Sequence, residues 1–267
     1  QRMSKAARRC LETVLYYHST DISPTCTMVV AFARHAKLPL VFKEMSYEKG
    51  DRFAKGFLKL NPYHCLPTLV ESTASEVSGA GGSREDQKAE FSLWESQAVL
   101  RYLCARFPEN EAVQKAYPTD IRARAKIDQM LDYRHCTLYP LVCKATNSLL
   151  GYLDAISEEE LRSRYKTMDE ELHRFAATYL DSKADFAGGM DTPTLADYSI
   201  VPGLAFTTAR KGYQLPARVE RYVDAFLKAV PTYAPMRAGF LRKVAELAKA
   251  TEDKRRLERA SGSQYKS

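Results

Sequence analysis

Runs that are typical of β-strands are confined to the first 107 residues of this 267-residue chain, and this asymmetry constrains the fold more than any other feature. The run Leu11–Tyr17 (LETVLYY) is rich in β-branched, aromatic and aliphatic residues, and residues 40–45 form a second such run. From Pro24 onward, apolar residues recur at helical spacing, with proline in the first turn. We therefore expect the first third of the chain to alternate strands and helices.

Two further strands are predicted before residue 107. Pro67 precedes a short apolar run, and residues 91–94 form another. The segment 72–90 between them is small, polar and glycine-bearing, which predicts a long flexible loop. With a helix at 95–107, the order is β-α-β-(α)-β-β-α, and it predicts a thioredoxin-like α/β domain over residues 11–107.

The sequence after residue 107 has a composition that is typical of helices. Helix formers dominate, and we expect an all-α domain of about five or six helices over residues 117–249. Ser157 is followed by three glutamates, which is typical of a helix start. Thr194 and Asp197 have the spacing of a capping box with aspartate in place of glutamate.

The formal net charge of +7 lies at the two ends of the chain. Residues 1–9 carry +4 and residues 242–267 carry +4, which leaves −1 for residues 10–241. We therefore expect solvated basic tails at 1–10 and 250–267 on a nearly neutral body, and no nucleic-acid partner.

Membrane, disulfide and metal functions receive no support from the sequence. No apolar run reaches the length of about 18 residues that a membrane span needs. The 6 cysteines are too sparse for a disulfide scaffold, and none is paired at Cys-x-x-Cys spacing. We expect a cytoplasmic protein with no metal and no membrane partner.

The motif Ser23-Pro24-Thr25-Cys26 follows the first predicted strand. A thioredoxin-like fold places its nucleophilic cysteine at this turn, over a helix N-terminus that favours an anion. A serine there has a hydroxyl that can donate a hydrogen bond to the thiolate of a ligand. The alternatives are that Ser23 only caps the helix, and that Cys26 is either a redox nucleophile or a small packing residue.

Two other motifs suit the backbone and head group of a peptide-like ligand. The Leu66-Pro67 bond is a candidate cis peptide, which would leave the Leu66 backbone free to pair with an extended ligand; a trans proline entering an edge strand is the alternative. Glu95 and Ser96, at the start of a helix, suit the ammonium and carboxylate of an amino acid, or serve simply as capping residues.

In order and spacing, these motifs resemble the cytosolic glutathione transferases, most closely the theta class. The resemblance covers roughly residues 11–245 and includes four further segments: Lys49-Gly50-Asp51-Arg52-Phe53, Trp94-Glu95-Ser96, Tyr117-Pro118-Thr119-Asp120-Ile121 and Thr194-Leu195-Ala196-Asp197. It implies the glutathione transferase fold, glutathione as co-substrate and a homodimer.

The resemblance also implies a role for each site residue. Ser23 would hold the glutathione thiolate, and Leu66 before Pro67 would pair with the cysteinyl backbone. Glu95 and Ser96 would bind the γ-glutamyl end, and Arg52, where theta enzymes tend to have histidine, would lie near the glycine carboxylate. Independently of the resemblance, Tyr133 and Tyr139, spaced at i and i+6 beside His135, suit an aromatic lining of the acceptor pocket; the alternative for His135 is a packing role in the helix.

Two residues depart from the family pattern. Cys65 replaces a residue that is commonly lysine, and Tyr139 stands where theta enzymes often carry an arginine facing the reactive sulfur. The expected function is conjugation of glutathione to small electrophiles, as in detoxification, or reduction of organic hydroperoxides. The alternatives are a non-catalytic scaffold of the same fold and a thiol-disulfide exchanger that uses Cys26.

Overall fold

A computed structural model describes residues 11–73, 89–180 and 183–263. Its sheet contains strands β1 (Leu11–Tyr17), β2 (Val41–Glu44), β3 (Thr68–Thr73) and β4 (Ala89–Leu93) in the spatial order β2-β1-β3-β4. Strands β1 and β2 are parallel, and the β1–β3 and β3–β4 pairs are antiparallel. A mixed sheet of this order, with helices packed on it, confirms the predicted thioredoxin-like domain.

Helices account for most of the remaining described residues. Three belong to the sheet domain: α1 (Pro24–His35), α2 (Lys55–Leu60) and α3 (Ser96–Arg106). The others form the all-helical domain: α4 (Glu111–Ala116), α5 (Ile121–Tyr133), α6 (Tyr139–Thr146), α7 (Glu158–Tyr179), α8 (Leu195–Leu204), α9 (Ala217–Ala229) and α10 (Ala234–Ser263).

The core continues from one domain into the other through α1 and α8. Helix α1 buries most of its side chains, because the sheet lies on one side of it and α8 on the other. Phe32 of α1 packs edge-on against Tyr198 of α8, with ring centroids 5.3 Å apart. Every residue of α8 is buried, so this helix fixes how the helical domain sits on α1.

Both predicted helix starts are present in the structure. The Ser157 hydroxyl accepts from the Glu160 N–H at 3.1 Å and caps α7. At the start of α8, Asp197 Oδ2 accepts from the Thr194 N–H at 2.6 Å and from its hydroxyl at 2.9 Å. The capping-box prediction is therefore confirmed.

Several boundaries differ from the sequence predictions. The central part of the predicted loop 72–90 lies outside the described residues, and its ends belong to β3 and β4 instead. The predicted tail at 250–267 is helical as far as Ser263, because α10 continues past residue 249. It is held there by Arg255, whose Nη2 donates to the Ser148 carbonyl at 2.5 Å. The predicted tail at 1–10 lies outside the described residues.

A π-helical turn, Arg134–Leu138, separates α5 from α6. Sequence analysis also missed α4, which is capped by Asn110.

None of the helices within the described ranges combines the length and hydropathy that a bilayer crossing requires.

Candidate functional site

Segments from all four strands meet at one edge of the sheet. The register pairs Tyr17 with Glu44, Tyr16 with Thr68, and Leu69 with Leu93. The residues that follow β1, β2 and β4 therefore lie beside those that precede β3. This edge gathers Ser23, Arg52, Leu66-Pro67 and Glu95-Ser96, which sequence analysis selected from four separate stretches of the chain.

Ser23 is the N-cap of α1, with an extended backbone. Its Oγ accepts from the Cys26 N–H at 3.3 Å and lies 3.2 Å from the Thr25 hydroxyl. A hydroxyl that accepts through a lone pair still has a proton to donate. Capping the helix and donating to a ligand anion are therefore compatible roles for the partly exposed Ser23 side chain.

Cys26 lies in the first turn of α1 and is fully buried. Its sulfur accepts from the His18 N–H at 3.3 Å. Burial raises the pKa of the Cys26 thiol to about 11, although the hydrogen bonds from Ser23 and His18 oppose that shift. A thiol with such a pKa is almost entirely protonated at neutral pH, and thiolate is the form that reacts. These surroundings favour a packing role for Cys26.

The Leu66-Pro67 peptide bond is cis. Asn61 organises the turn before it: its Nδ2 donates to the Cys65 carbonyl at 3.0 Å and to Thr68 Oγ1 at 2.9 Å. Thr68 Oγ1 in turn donates to the same carbonyl at 2.8 Å. Leu66 precedes the first paired residue of β3, so its backbone lies beyond the end of the strand ladder.

Glu95 and Ser96 begin α3 in an unusual backbone conformation. Glu95 has φ +70° and ψ 106°, which a residue with a side chain rarely adopts. Its exposed side chain makes no capping hydrogen bond, whereas Ser96 is buried. Non-glycine residues held in such conformations are found disproportionately at binding sites. The Glu95 carboxylate is thus exposed beside a helix N-terminus.

Arg52 belongs to an aromatic stack that sequence analysis did not identify. The His18 ring stacks on Tyr47 at 3.9 Å between centroids and 6° between planes, and the Arg52 guanidinium lies 4.3 Å from the Tyr47 centroid. Both groups therefore pack against the Tyr47 ring. Arg52 Nε is buried and has no hydrogen-bond partner among the described residues. The stack therefore places the Arg52 guanidinium beside this edge of the sheet, and its Nε–H makes no hydrogen bond within the described residues.

The positions of His18 and Tyr47 along the sequence already indicate a binding site. His18 directly follows β1 and Tyr47 comes soon after β2. In open α/β sheets, ligands bind beyond the carboxyl ends of parallel strands. His18 Nδ1 also lies 3.1 Å from the Met45 carbonyl, a contact that joins the ends of those two strands.

The residues expected to line the acceptor pocket have three different surroundings. The Tyr133 hydroxyl donates to Glu171 Oε1 of α7 at 2.9 Å, and His135 is exposed. Tyr139 is partly buried against Gly203 of α8, with the Arg134 guanidinium 4.0 Å from its ring centroid. Of the three, Tyr139 is the one that faces α8.

A polar cleft of about 550 Å³ adjoins the sheet edge. Its walls include His18 and Asp21 of the β1–α1 loop, Lys49 after β2, and Lys243 and Glu246 of α10. The volume is within the range of small-molecule sites. Among the described residues, no group of three or more His, Cys, Asp and Glu side chains is placed to hold a metal ion.

A thioredoxin-like sheet followed by an all-helical domain is the fold of the cytosolic glutathione transferases, as the motifs predicted. Glutathione S-transferase D7 of Anopheles gambiae is 33% identical over 151 residues, or 55% of this chain. The match covers 59% of that protein, so the chain spans about three fifths of the length of this curated relative. No family model matches the chain.

Solved structures of glutathione transferases have the same fold. A delta-class enzyme of Nilaparvata lugens superposes with a TM-score of 0.69 at 24% identity, over 90% of this chain and 99% of that one. Human glutathione S-transferase T1-1 gives 0.69 at 20% identity, over 89% and 95%. The solved structures show that the chain has the glutathione transferase fold, and the curated relative that it resembles is a glutathione S-transferase.

Proposed function

We propose that this protein is a glutathione transferase that conjugates the glutathione thiolate to small electrophiles. The observation that carries the proposal is the convergence at one sheet edge of Ser23, the buried donor of Arg52, the cis Leu66-Pro67 peptide and the exposed Glu95 carboxylate. The names of the relatives support the same reaction.

Each end of glutathione has a counterpart at this edge. The Ser23 hydroxyl donates to the thiolate, and the Leu66 backbone before Pro67 pairs with the cysteinyl residue. Glu95 binds the γ-glutamyl ammonium, and Ser96, at the N-terminus of α3, binds the neighbouring carboxylate. Arg52 holds the glycine carboxylate.

Stabilising the thiolate is the main chemical task. Lowering a thiol pKa by two units requires about 2.7 kcal/mol of preference for the thiolate. A charge-assisted hydrogen bond from Ser23 contributes about 1.5–3 kcal/mol, and the α1 N-terminus about 0.3–1 kcal/mol. These two contributions have the required size without a covalent enzyme intermediate. The conjugation step then forms the bond from sulfur to the electrophilic carbon as the leaving group departs.

Finer assignments belong to the same proposal. A serine at the activating position and the similarity to human T1-1 favour a theta-like enzyme, although the delta-class structure is equally similar in fold. Reduction of organic hydroperoxides is a second reaction open to the same thiolate. We also propose a cytoplasmic homodimer with a glutathione-binding domain at 11–107 and an acceptor-binding helical domain at 117–249, in which Tyr133, His135 and Tyr139 contribute to acceptor binding.

Ser23→Ala tests the proposal against a matched control, Ser157→Ala. Both variants remove a serine that caps a helix, at a cost of about 1 kcal/mol, but only Ser23 lies at the sheet edge. We expect Ser23→Ala to reduce the rate with an aryl chloride, an epoxide and cumene hydroperoxide by about 100-fold, and Ser157→Ala to leave it unchanged. Calorimetry should show glutathione binding in all three proteins.

Three results would contradict the proposal. Equal rates in Ser23→Ala and the parent would remove Ser23 from the reaction. A parent protein that neither binds glutathione nor reacts with any of the three electrophiles would favour the scaffold alternative. Activity that is lost in Cys26→Ser but retained in Ser23→Ala would instead favour a thiol-disulfide exchanger.

A further inference from the structure

Arg134 is a buried cation, and no carboxylate of the described residues pairs with it. Its side chain is 2% exposed, and its Nε and Nη2 atoms have no hydrogen-bond partner among the described residues. The groups that act on its charge are Tyr139 and Cys143, and burial lowers the pKa of Arg134 to about 10. Burying an uncompensated charge is strongly unfavourable, so such a residue usually faces an anion.

The side chains around Arg134 supply no negative charge of their own. Burial raises the pKa of the Tyr139 hydroxyl and of the Cys143 thiol, which bond to each other, so both are neutral near pH 7. They offer an aromatic face and two neutral polar groups beside the cation. Both side chains are partly exposed, so the cluster of Arg134, Tyr139 and Cys143 reaches the surface through Tyr139 and Cys143, while Arg134 lies beneath them.

The two unused nitrogens define the shape of the missing partner. Nε and Nη2 lie on the same edge of a guanidinium group, and this edge matches the two oxygens of a carboxylate in a bidentate pair. Arg134 also begins the π-helical turn between α5 and α6. Such turns are frequent at functional sites.

Packing contacts connect the cluster to the loop that carries Ser23. Tyr139 lies against Gly203 in the last turn of α8. In the turn that follows α8, Phe206 packs on Phe240 of α10 at 5.0 Å between ring centroids. The adjacent Gly239 lies against Asp21 in the β1–α1 loop. The cluster thus belongs to the part of the helical domain that packs beside the sheet edge.

We propose that Arg134 binds the carboxylate of the acceptor, so that this protein prefers small aromatic electrophiles that bear a carboxylate. The inference rests on the proposed function. The Tyr139 ring contacts the aromatic body of the acceptor while the free edge of Arg134 holds its carboxylate. The glutathione sulfur then attacks the ring carbon that carries the leaving group: the carbon–sulfur bond forms, the carbon–chlorine bond breaks, and chloride leaves with the electron pair.

The test compares 4-chloro-3-nitrobenzoate with the neutral 4-chloro-3-nitrobenzamide. We expect the parent protein to favour the benzoate in kcat/KM, and Arg134→Gln to lose that preference by about tenfold or more through a higher KM. Arg122→Gln removes the same charge from an exposed position on α5 and should leave the preference unchanged. Arg134→Lys keeps the charge but not the paired donors, so its preference for the benzoate should lie between those of the parent and Arg134→Gln.

A stability measurement separates a functional arginine from a structural one. Arg134→Met replaces an unpaired buried cation by an apolar side chain of similar size. We expect its midpoint of thermal unfolding to be unchanged or higher than that of the parent, and its preference for the benzoate to disappear. A large fall in the midpoint together with an unchanged preference would overturn the inference.

A binding measurement with 4-nitrobenzoate distinguishes failure of this inference from failure of the proposed function. If the protein conjugates neither compound, calorimetric titration with 4-nitrobenzoate still reports on Arg134. Binding to the parent that is lost in Arg134→Gln supports a carboxylate site even without catalysis. If both compounds are conjugated and the preference for the benzoate over the benzamide is the same in the parent and in Arg134→Gln, the carboxylate site is overturned. The proposed function is unaffected by that result.

Discussion

The backbone N–H of Cys26 donates to the Ser23 hydroxyl at 3.3 Å, while the Cys26 thiol itself is fully buried behind the helix N-terminus. The two candidate functional side chains of this turn therefore have different surroundings. Ser23 is partly exposed at the sheet edge, and Cys26 is part of the core that α1 forms with its neighbours.

We expect Cys26→Ala to keep its conjugation rate within about twofold of the parent while its free energy of unfolding falls by about 1–2 kcal/mol. The loss comes from a small cavity in the core. Steady-state rates and chemical denaturation measure the two effects. A variant that is stable but inactive would assign the chemistry to the thiol.

Tyr47 is a positioning residue, because the His18 ring and the Arg52 guanidinium both pack on its ring. Tyr47→Leu removes the aromatic face on which the guanidinium rests, and we expect KM for glutathione to rise about tenfold with kcat little changed. Tyr47→Phe keeps the ring and should retain most of the affinity. If both variants raised KM equally, the hydroxyl rather than the stack would be responsible.

His35 makes the stability of the fold depend on pH. Desolvation lowers its pKa below the ordinary 6.5, and its Nδ1 is buried without a hydrogen-bond partner among the described residues. The unfolded chain therefore binds more protons than the folded chain as the pH falls through 6.5, and the free energy of unfolding decreases there.

Replacing His35 by Phe should flatten this dependence, because the aromatic edge toward Tyr198 remains while the titrating group is lost. Urea unfolding at a series of pH values between about 7.5 and 5.5 measures the slope. Equal slopes in the two proteins would show that other groups cause the acid sensitivity.

Asp197 joins the start of α8 to two other segments. Besides the capping box, its Oδ1 accepts from the Ala187 N–H at 3.0 Å and from the Tyr222 hydroxyl at 2.9 Å. Asp197→Ala leaves these buried donors without an acceptor, and we expect it to lower the free energy of unfolding by about 3–5 kcal/mol.

Tyr222→Phe provides the milder comparison, because it removes one of those hydrogen bonds and should cost about 1 kcal/mol. Denaturant unfolding of both variants measures the difference. A cost for Tyr222→Phe as large as that for Asp197→Ala would mean that the capping box contributes little.

The sequence predicted those parts of the fold and site that depend on local patterns. Short-range periodicity and capping chemistry predicted the β-branched run of β1, the caps at Ser157 and Thr194, and the order of strands and helices along the chain. The site motifs were found for the same reason, since Ser23 and Ser96 stand at helix starts.

Features that depend on tertiary contacts could not be predicted in the same way. The stack of His18, Tyr47 and Arg52 joins segments from two strand ends. The burial of Arg134 follows from packing between helices, and its charge gave no hint of it in the sequence. The extension of α10 beyond residue 249 depends on the Arg255 contact with Ser148.

The contact between Gly239 and Asp21 ties the last helix to the serine loop. A Cβ at residue 239 would collide with the Asp21 carboxylate, so the two segments approach as closely as backbone allows. A side chain at residue 239 would therefore have to displace the loop two residues ahead of Ser23. The last described helix thus packs as a brace on the loop that leads to Ser23.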